Sequence, residues 1–359
     1  MMENSPYKRL AERLDALPNG FPPTEDGVEL QLLAKIFTPE EAVLAAQLRL
    51  TQETPEQIAG RVGGDPVELA TRLKGMARKG LITAGRTEEG LGYGLMPFVV
   101  GIYEMQIGNL DAELARLFED YYMTVFGQVL SVKPAYHRVI PVNETVRNDM
   151  EVQPFESAAE IVNEAKAWGV LDCICRKQKE LVGDPCDHPV DVCMAFSQRP
   201  GAFDNNPVIN AVSREESMAT LQRAADAGLV HSVSNKLRDM SYICNCCTCS
   251  CGILRGIADL GVANAIAWSG FVNQVDEELC VACDLCVEYC QFDALSLDDV
   301  LQVDSMRCVG CGVCVPFCPE EALSLVRRPT DEVEPIPDSM DDWLRARAAE
   351  RGLDMEEVL

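Results

Sequence analysis

The chain of 359 residues carries 57 acidic against 31 basic side chains, a net charge of −26, with 47% hydrophobic residues. That apolar fraction supports about two or three folded domains at this length. The acidity argues against nucleic acid or an anionic membrane surface as partner, since both call for basic patches, and favours a basic or metal-bearing partner.

The opening residues, Met1 to Arg9, lack the apolar core of a signal peptide. The most apolar long stretch, Ile253 to Val272, is interrupted by Arg255, Asp259 and Asn264, so it reads as a packed helix and not as a membrane span. A cytoplasmic location is expected. All 17 cysteines lie between Cys173 and Cys318. An odd number, so concentrated in a reducing compartment, points to metal and away from disulfides.

Residues 1–28 read as an arm rich in Pro and Gly, suited to lying across a neighbouring surface. Residues 29–98 carry helix signals: Thr38 before Pro39, Thr54 before Pro55, and Asp65 before the run Val67, Leu69, Ala70, Leu73, Met76 and Ala77. A hairpin is expected around Arg86 to Gly92. This order resembles the winged-helix domain of transcription regulators. The resemblance implies that the third helix could read DNA through Arg72, Lys74, Arg78, Lys79 and Arg86. Glu68, Glu88 and Glu89 dilute that face, which favours a scaffold packed against protein.

Residues 99–154 form a helical linker, with Leu110, Leu114, Leu117, Phe118 and Tyr121 on one face. His137 reads as a surface or capping histidine. A cysteine-rich domain over 155–261 is expected to open with a helix from about Phe155 to Trp168. A second helix follows the capping box Ser213-Arg214-Glu215-Glu216. After a metal domain at 262–328, residues 329–359 form an acidic tail with a short helix near Met340 to Arg351. That tail is either solvated or docked on a partner.

The strongest signal is Cys280-x2-Cys283-x2-Cys286-x3-Cys290, repeated 28 residues later as Cys308-x2-Cys311-x2-Cys314-x3-Cys318-Pro319. Ala294-Leu295-Ser296-Leu297 recurs as Ala322-Leu323-Ser324-Leu325. Three thiolates of a cubane cluster come from one tight loop and the fourth from elsewhere. The duplication resembles bacterial two-cluster ferredoxins over about residues 270–328. The resemblance implies two [4Fe–4S] clusters, the first on Cys280, Cys283, Cys286 and Cys318 and the second on Cys308, Cys311, Cys314 and Cys290. Gln291 departs from the proline expected after Cys290. Asp284, Glu288 and Asp293 surround the first run and Val309, Gly310, Gly312 and Pro316 the second, so the first cluster is expected to have the lower potential.

Nine cysteines remain. The expected arrangement puts a third cluster on Cys173, Cys175, Cys186 and Cys193, and a fourth on the run Cys244, Cys246, Cys247, Cys249 and Cys251. Structural zinc is the alternative at either site. Cys246 and Cys247 are neighbours whose side chains diverge in extended chain. His188, next to Pro189, is a possible ligand or an orienting residue, and Arg176 a possible donor to cluster sulfur.

The expected class is therefore α+β multidomain: a winged-helix-like N-terminal domain, a cysteine-rich α/β middle domain and a ferredoxin-like (βαβ)2 dicluster domain. The combination resembles anaerobe 4Fe–4S dicluster-domain proteins. No Walker loop, no dinucleotide-binding glycine motif and no catalytic nucleophile–base pair is present. The leading reading is an electron-transfer subunit of a cytoplasmic anaerobic oxidoreductase complex, with iron bound at these cysteines. Its partners would be a flavin or metal oxidoreductase and a ferredoxin-like donor or acceptor. A redox-sensing regulator and catalysis at an open cluster on Cys244–Cys251 are the alternatives.

Overall fold

Short polar residues followed by proline start four helices of the N-terminal half. In the computed structural model, which describes residues 5–142, 145–147 and 150–355, Ser5 caps α1 (Pro6–Asp15) by accepting the Tyr7 amide. The first four positions of the expected arm and the last four of the expected tail lie outside the described residues. After α2 (Val28–Ile36), Thr38 and Thr54 form full capping boxes at α3 (Pro39–Ala45) and α4 (Pro55–Val62). Asp65 caps α5 (Pro66–Arg78) through the amides of Val67 and Glu68. Strands β1 (Thr83–Thr87) and β2 (Gly90–Gly94) pair as an antiparallel hairpin, and α6 (Ala112–Ser131) closes this part.

The chain divides into two units. The first comprises residues 1–133, 178–184 and 344–359. Its centre is aromatic: Phe21 lies 4.5 Å from Phe98, and Tyr103 stacks on Phe118 at 3.8 Å. The expected N-terminal arm is instead helix α1 with a packed extension, because Leu10, Leu14, Leu17 and Phe21 are all buried in this core. Arg347, fully buried, donates to the carbonyls of Pro18, Val129 and Val132, so this part of the acidic tail is fixed by its own chain.

The second unit comprises residues 134–177 and 185–343. Its elements are β3 (His137–Val139), α7 (Ala158–Glu164), β4 (Ala167–Leu171), the first turn of α8 (Ile174–Leu181), β5 (Cys193–Ser197), β6 (Asn210–Val212), α9 (Arg214–Asp226), β7 (Val230–Ser234) and β8 (Tyr242–Cys246). These strands form one six-stranded sheet, ordered β3-β7-β8-β5-β4-β6 and antiparallel at every junction. The expected α/β character is thus not what the sheet shows, since α/β folds rest on parallel strands. Ile161, Val162, Met194, Phe196, Leu221 and Ile243 make its core.

Two other expectations are corrected here. The helix expected from Phe155 to Trp168 ends at Glu164, and Trp168 lies in β4, paired between Phe196 and Val212. The apolar stretch 253–272 is helical only in α10 (Arg255–Ala258); Gly261, at φ +67°, turns the chain toward β9 (Phe271–Val275).

The remaining elements belong to the duplicated cysteine segment: α11 (Leu285–Glu288), β10 (Leu295–Leu297), β11 (Leu301–Val303) and β12 (Leu323–Arg327), followed by α12 (Met340–Glu350). β9 pairs antiparallel with β12, and β10 with β11. Trp343 is buried in this unit and donates its indole N–H to the Ala135 carbonyl at 2.9 Å.

Candidate metal centres

The 28-residue repeat is reproduced atom by atom around the cysteines. The Cys280 amide donates to Asp276 O at 3.0 Å, and the Cys308 amide to Asp304 O at 2.9 Å. Asp276 N and Asp304 N reach Ala322 O and Ala294 O, each at 2.8 Å. The sulfurs of Cys290 and Cys318 each accept an amide, from Ala294 and Ala322, both at 3.3 Å. The residues immediately before those two cysteines, Tyr289 and Phe317, stack on one another at 3.4 Å.

Backbone conformation follows the same repeat. Ala282, Asp284 and Asp293 have φ of +55°, +65° and +50°; Gly310, Gly312 and Glu321, 28 positions later, have +71°, +73° and +51°. A C-x2-C-x2-C loop needs these left-handed residues to turn three sulfurs to one side. Glycine meets the need without strain in the second copy, whereas Ala282 and Asp284 carry the cost of a side chain in the first.

One cavity is lined by Cys280, Cys283, Cys286 and Cys318, which brings together the quartet that the resemblance assigns to the first cluster. The other four cysteines act electrostatically on one another: Cys311 and Cys314 sense both Cys308 and Cys290. Burial pushes the Cys286 thiol up to about 11 and the Cys311 thiol up to about 12, so thiolates here call for compensating cations. The two loops differ in surroundings. Cys283, Asp284 and Leu285 are exposed, while Val309, Gly312, Val313 and Cys314 are buried. Asn273 donates its side-chain amide to Cys314 Sγ at 3.1 Å, and buried Arg328 donates to the Cys308 carbonyl.

The nine upstream cysteines separate into six and three. Register Met194↔Ile243 sets Cys193 of β5 beside Cys244 of β8, and Cys246, two residues on, shares the face of Cys244. Cys173 and Cys175 flank the start of α8, and Cys251 follows β8. Their thiols shift one another's acidity in a closed ring: Cys173 with Cys175 and Cys193, Cys193 with Cys244, Cys244 with Cys246, Cys246 with Cys251, and Cys251 with Cys175.

Cys186 is elsewhere. Its sulfur is 3.9 Å from Cys247 Sγ, and Cys249 Sγ is 3.7 Å from His188 Nδ1. The ligand atoms of Cys186, His188, Cys247 and Cys249 all lie within 4.8 Å of one another. The expected quartet Cys173, Cys175, Cys186 and Cys193 is therefore not brought together as such, and the run Cys244–Cys251 is shared between two groups, with Cys246 in one and Cys247 in the other. Chain spacing carried no sign of this, because the sheet register decides which strand ends meet.

Arg176 sits between the groups, 3% exposed. It donates to Pro189 O at 3.0 Å, to Asn245 O at 2.9 Å and to Cys247 Sγ at 3.6 Å, while its buried Nε has no protein acceptor. Burial opposes its charge, yet Cys173, Cys247, Cys246 and Cys193 hold its pKa above the ordinary value. A buried cation with a free donor among thiols suits a bound anionic cluster or metal–thiolate group.

His137 is not a surface residue. It is buried, 2.9 Å from Tyr242 Oη and 3.3 Å from Ser232 Oγ, and Ser232 Oγ lies 3.7 Å from Cys246 Sγ. Its place on β3 beside β7 explains the burial. Of the basic residues considered for DNA contact, Lys79 pairs with Glu41 at 2.6 Å and Arg72 donates to Glu40 O at 3.3 Å.

The family of 4Fe-4S dicluster domains matches residues 279–322. An iron–sulfur dicluster domain is present. It is the segment built on the repeat described above, and with the other cysteines it suggests iron–sulfur electron transfer. No curated protein and no solved structure matches the chain. Among the described residues no helix is long and apolar enough to cross a membrane.

Proposed function

We propose that this chain relays single electrons from a docked redox protein, through the two clusters of the dicluster domain, to a third iron–sulfur centre in the six-thiol ring. The observation that carries this reading is the direct link between the domain and the upstream cysteines. Gln291, adjacent to Cys290, accepts the amide of Thr248, which lies in the turn between the ring cysteines Cys246 and Cys251. The second cluster would be held by Cys290, Cys308, Cys311 and Cys314, on the side facing that link. The first, on Cys280, Cys283, Cys286 and Cys318, would face solvent.

The entry point is the exposed loop around the first cluster. Leu279, Val281 and Leu285 are exposed there, with Asp276, Glu277, Glu278, Asp284 and Glu288 around them. An apolar patch ringed by carboxylates suits a partner with a complementary basic rim, and association should weaken with salt. Such a chain would serve as a subunit of an oxidoreductase complex, the partner supplying or removing each electron and the substrate chemistry lying in another subunit.

Iron and acid-labile sulfide, measured per chain on protein purified without oxygen, test the reading. About twelve irons with matching sulfide fit three clusters, and about eight confine the relay to the dicluster domain. Changing Cys173 and Cys244 together to Ser should remove about four irons and leave the spectrum of the two-cluster domain intact. Unchanged iron in that variant would exclude the ring as a cluster site.

A further inference from the structure

We infer that Cys186, His188, Cys247 and Cys249 bind a single tetrahedral zinc ion, distinct from the iron–sulfur centres. Three thiols and an imidazole are a donor set zinc takes in structural sites. Distances decide between one ion and a cubane. Ligands at Zn–S and Zn–N bond lengths around one tetrahedral ion stand roughly 3.5–3.8 Å apart. Cys186 Sγ and Cys247 Sγ are 3.9 Å apart, and Cys249 Sγ and His188 Nδ1 are 3.7 Å apart.

A cubane binds its four protein ligands through four different irons, which holds them farther from one another. The same chain supplies the contrast. Among the described residues this is the only group of three or more Cys, His, Asp or Glu side chains with every ligand atom within 4.8 Å of the others. Neither cysteine quartet of the dicluster domain meets that condition.

The surroundings fit a closed site. Both ligand pairs come from one-residue spacings, Cys186-Asp187-His188 and Cys247-Thr248-Cys249. Ser250 Oγ donates to Cys186 Sγ at 3.3 Å, and Arg176 Nη2 to Cys247 Sγ at 3.6 Å. Zinc with three thiolates carries one net negative charge, and the buried guanidinium of Arg176 balances it. Four protein ligands leave no open position, so the ion's role is structural. It would fix the Cys247–Cys249 turn, and with it the Thr248 amide that Gln291 receives.

The test uses the full chain purified without oxygen from medium containing both metals. We expect about one zinc per chain, and a zinc-edge X-ray absorption spectrum with three sulfurs, one nitrogen and no neighbouring metal. His188→Ala and Cys249→Ser should each lower zinc affinity at least tenfold with iron content unchanged. His188→Cys should retain the ion with four sulfurs. Absence of zinc, zinc that survives both substitutions, or iron lost in its place would overturn the assignment. If the variants do not fold, the absorption spectrum of the unaltered chain decides alone: any other ligand shell, or a metal–metal distance, rejects a single Cys3His zinc. Iron bound at the ring is measured separately, so the relay and the zinc site can fail independently.

Discussion

Gln291 Oε1 accepts the Thr248 amide at 2.8 Å, and its Nε2 donates to the Gly228 carbonyl. Proline, the residue expected after the fourth cysteine of such a run, could make neither bond. The departure from the ferredoxin pattern thus has a use here: it ties the segment of Cys290 to the turn carrying Cys247 and Cys249. Gln291→Leu leaves both main-chain groups unpaired. The expected loss is on the order of 1–2 kcal/mol in denaturant unfolding, with the iron of the dicluster domain retained. Stability equal to that of the parent chain would show the bond to be incidental.

The two clusters should differ in potential. Asn273 donates to Cys314 Sγ and Arg328 to the Cys308 carbonyl, while carboxylates surround the Cys280 loop. Donors and positive charge favour the reduced cluster and negative charge disfavours it. The cluster on Cys280, Cys283 and Cys286 is expected to be the lower of the two. Asn273→Leu should lower the other and narrow the gap, as read by an anaerobic redox titration followed by EPR. A reversed order rejects the argument.

Gly310 and Ala282 occupy equivalent left-handed positions, yet only one tolerates a side chain. A Cβ on Gly310 would press into Phe271 O and Ser269 Oγ at φ +71°. Gly310→Ala is expected to cost about 2 kcal/mol or more and to deplete the second cluster. Ala282→Gly relieves a left-handed alanine and should be neutral or stabilising by up to about 1 kcal/mol. Thermal unfolding and iron content of the two variants check the contrast; equal effects would contradict it.

Burial lowers the His137 pKa from the ordinary 6.5 to about 4. Between those values the unfolded chain takes up a proton that the folded chain refuses. Stability should therefore decline as pH falls from about 6.5 to about 4, by at most about 3 kcal/mol from this residue. His137→Gln removes that part of the slope, so the stability advantage of the parent chain at pH 7 should shrink toward pH 4. Denaturant midpoints at both ends measure it, and parallel acid dependence in the two proteins would reject the assignment.

Local signals in the chain determined a good deal. Thr38, Thr54, Asp65 and Ser213 announced helices because a cap and its amides lie within three residues. The dicluster segment from Cys280 to Cys318 was legible because its tight C-x2-C-x2-C loop is local in the chain, and the duplication repeats the loop. Only the tertiary structure decided the rest. Trp168 joined a strand and not a helix because Phe196 and Val212 pair with it from other parts of the chain. His137 went inside for the same kind of reason, by pairing with Ser234. Cys186 met Cys247 across 61 residues, while Cys193 met Cys244, because an antiparallel register joined β5 to β8. Strand pairing is non-local, so the composition of this region could announce metal but could not sort its ligands.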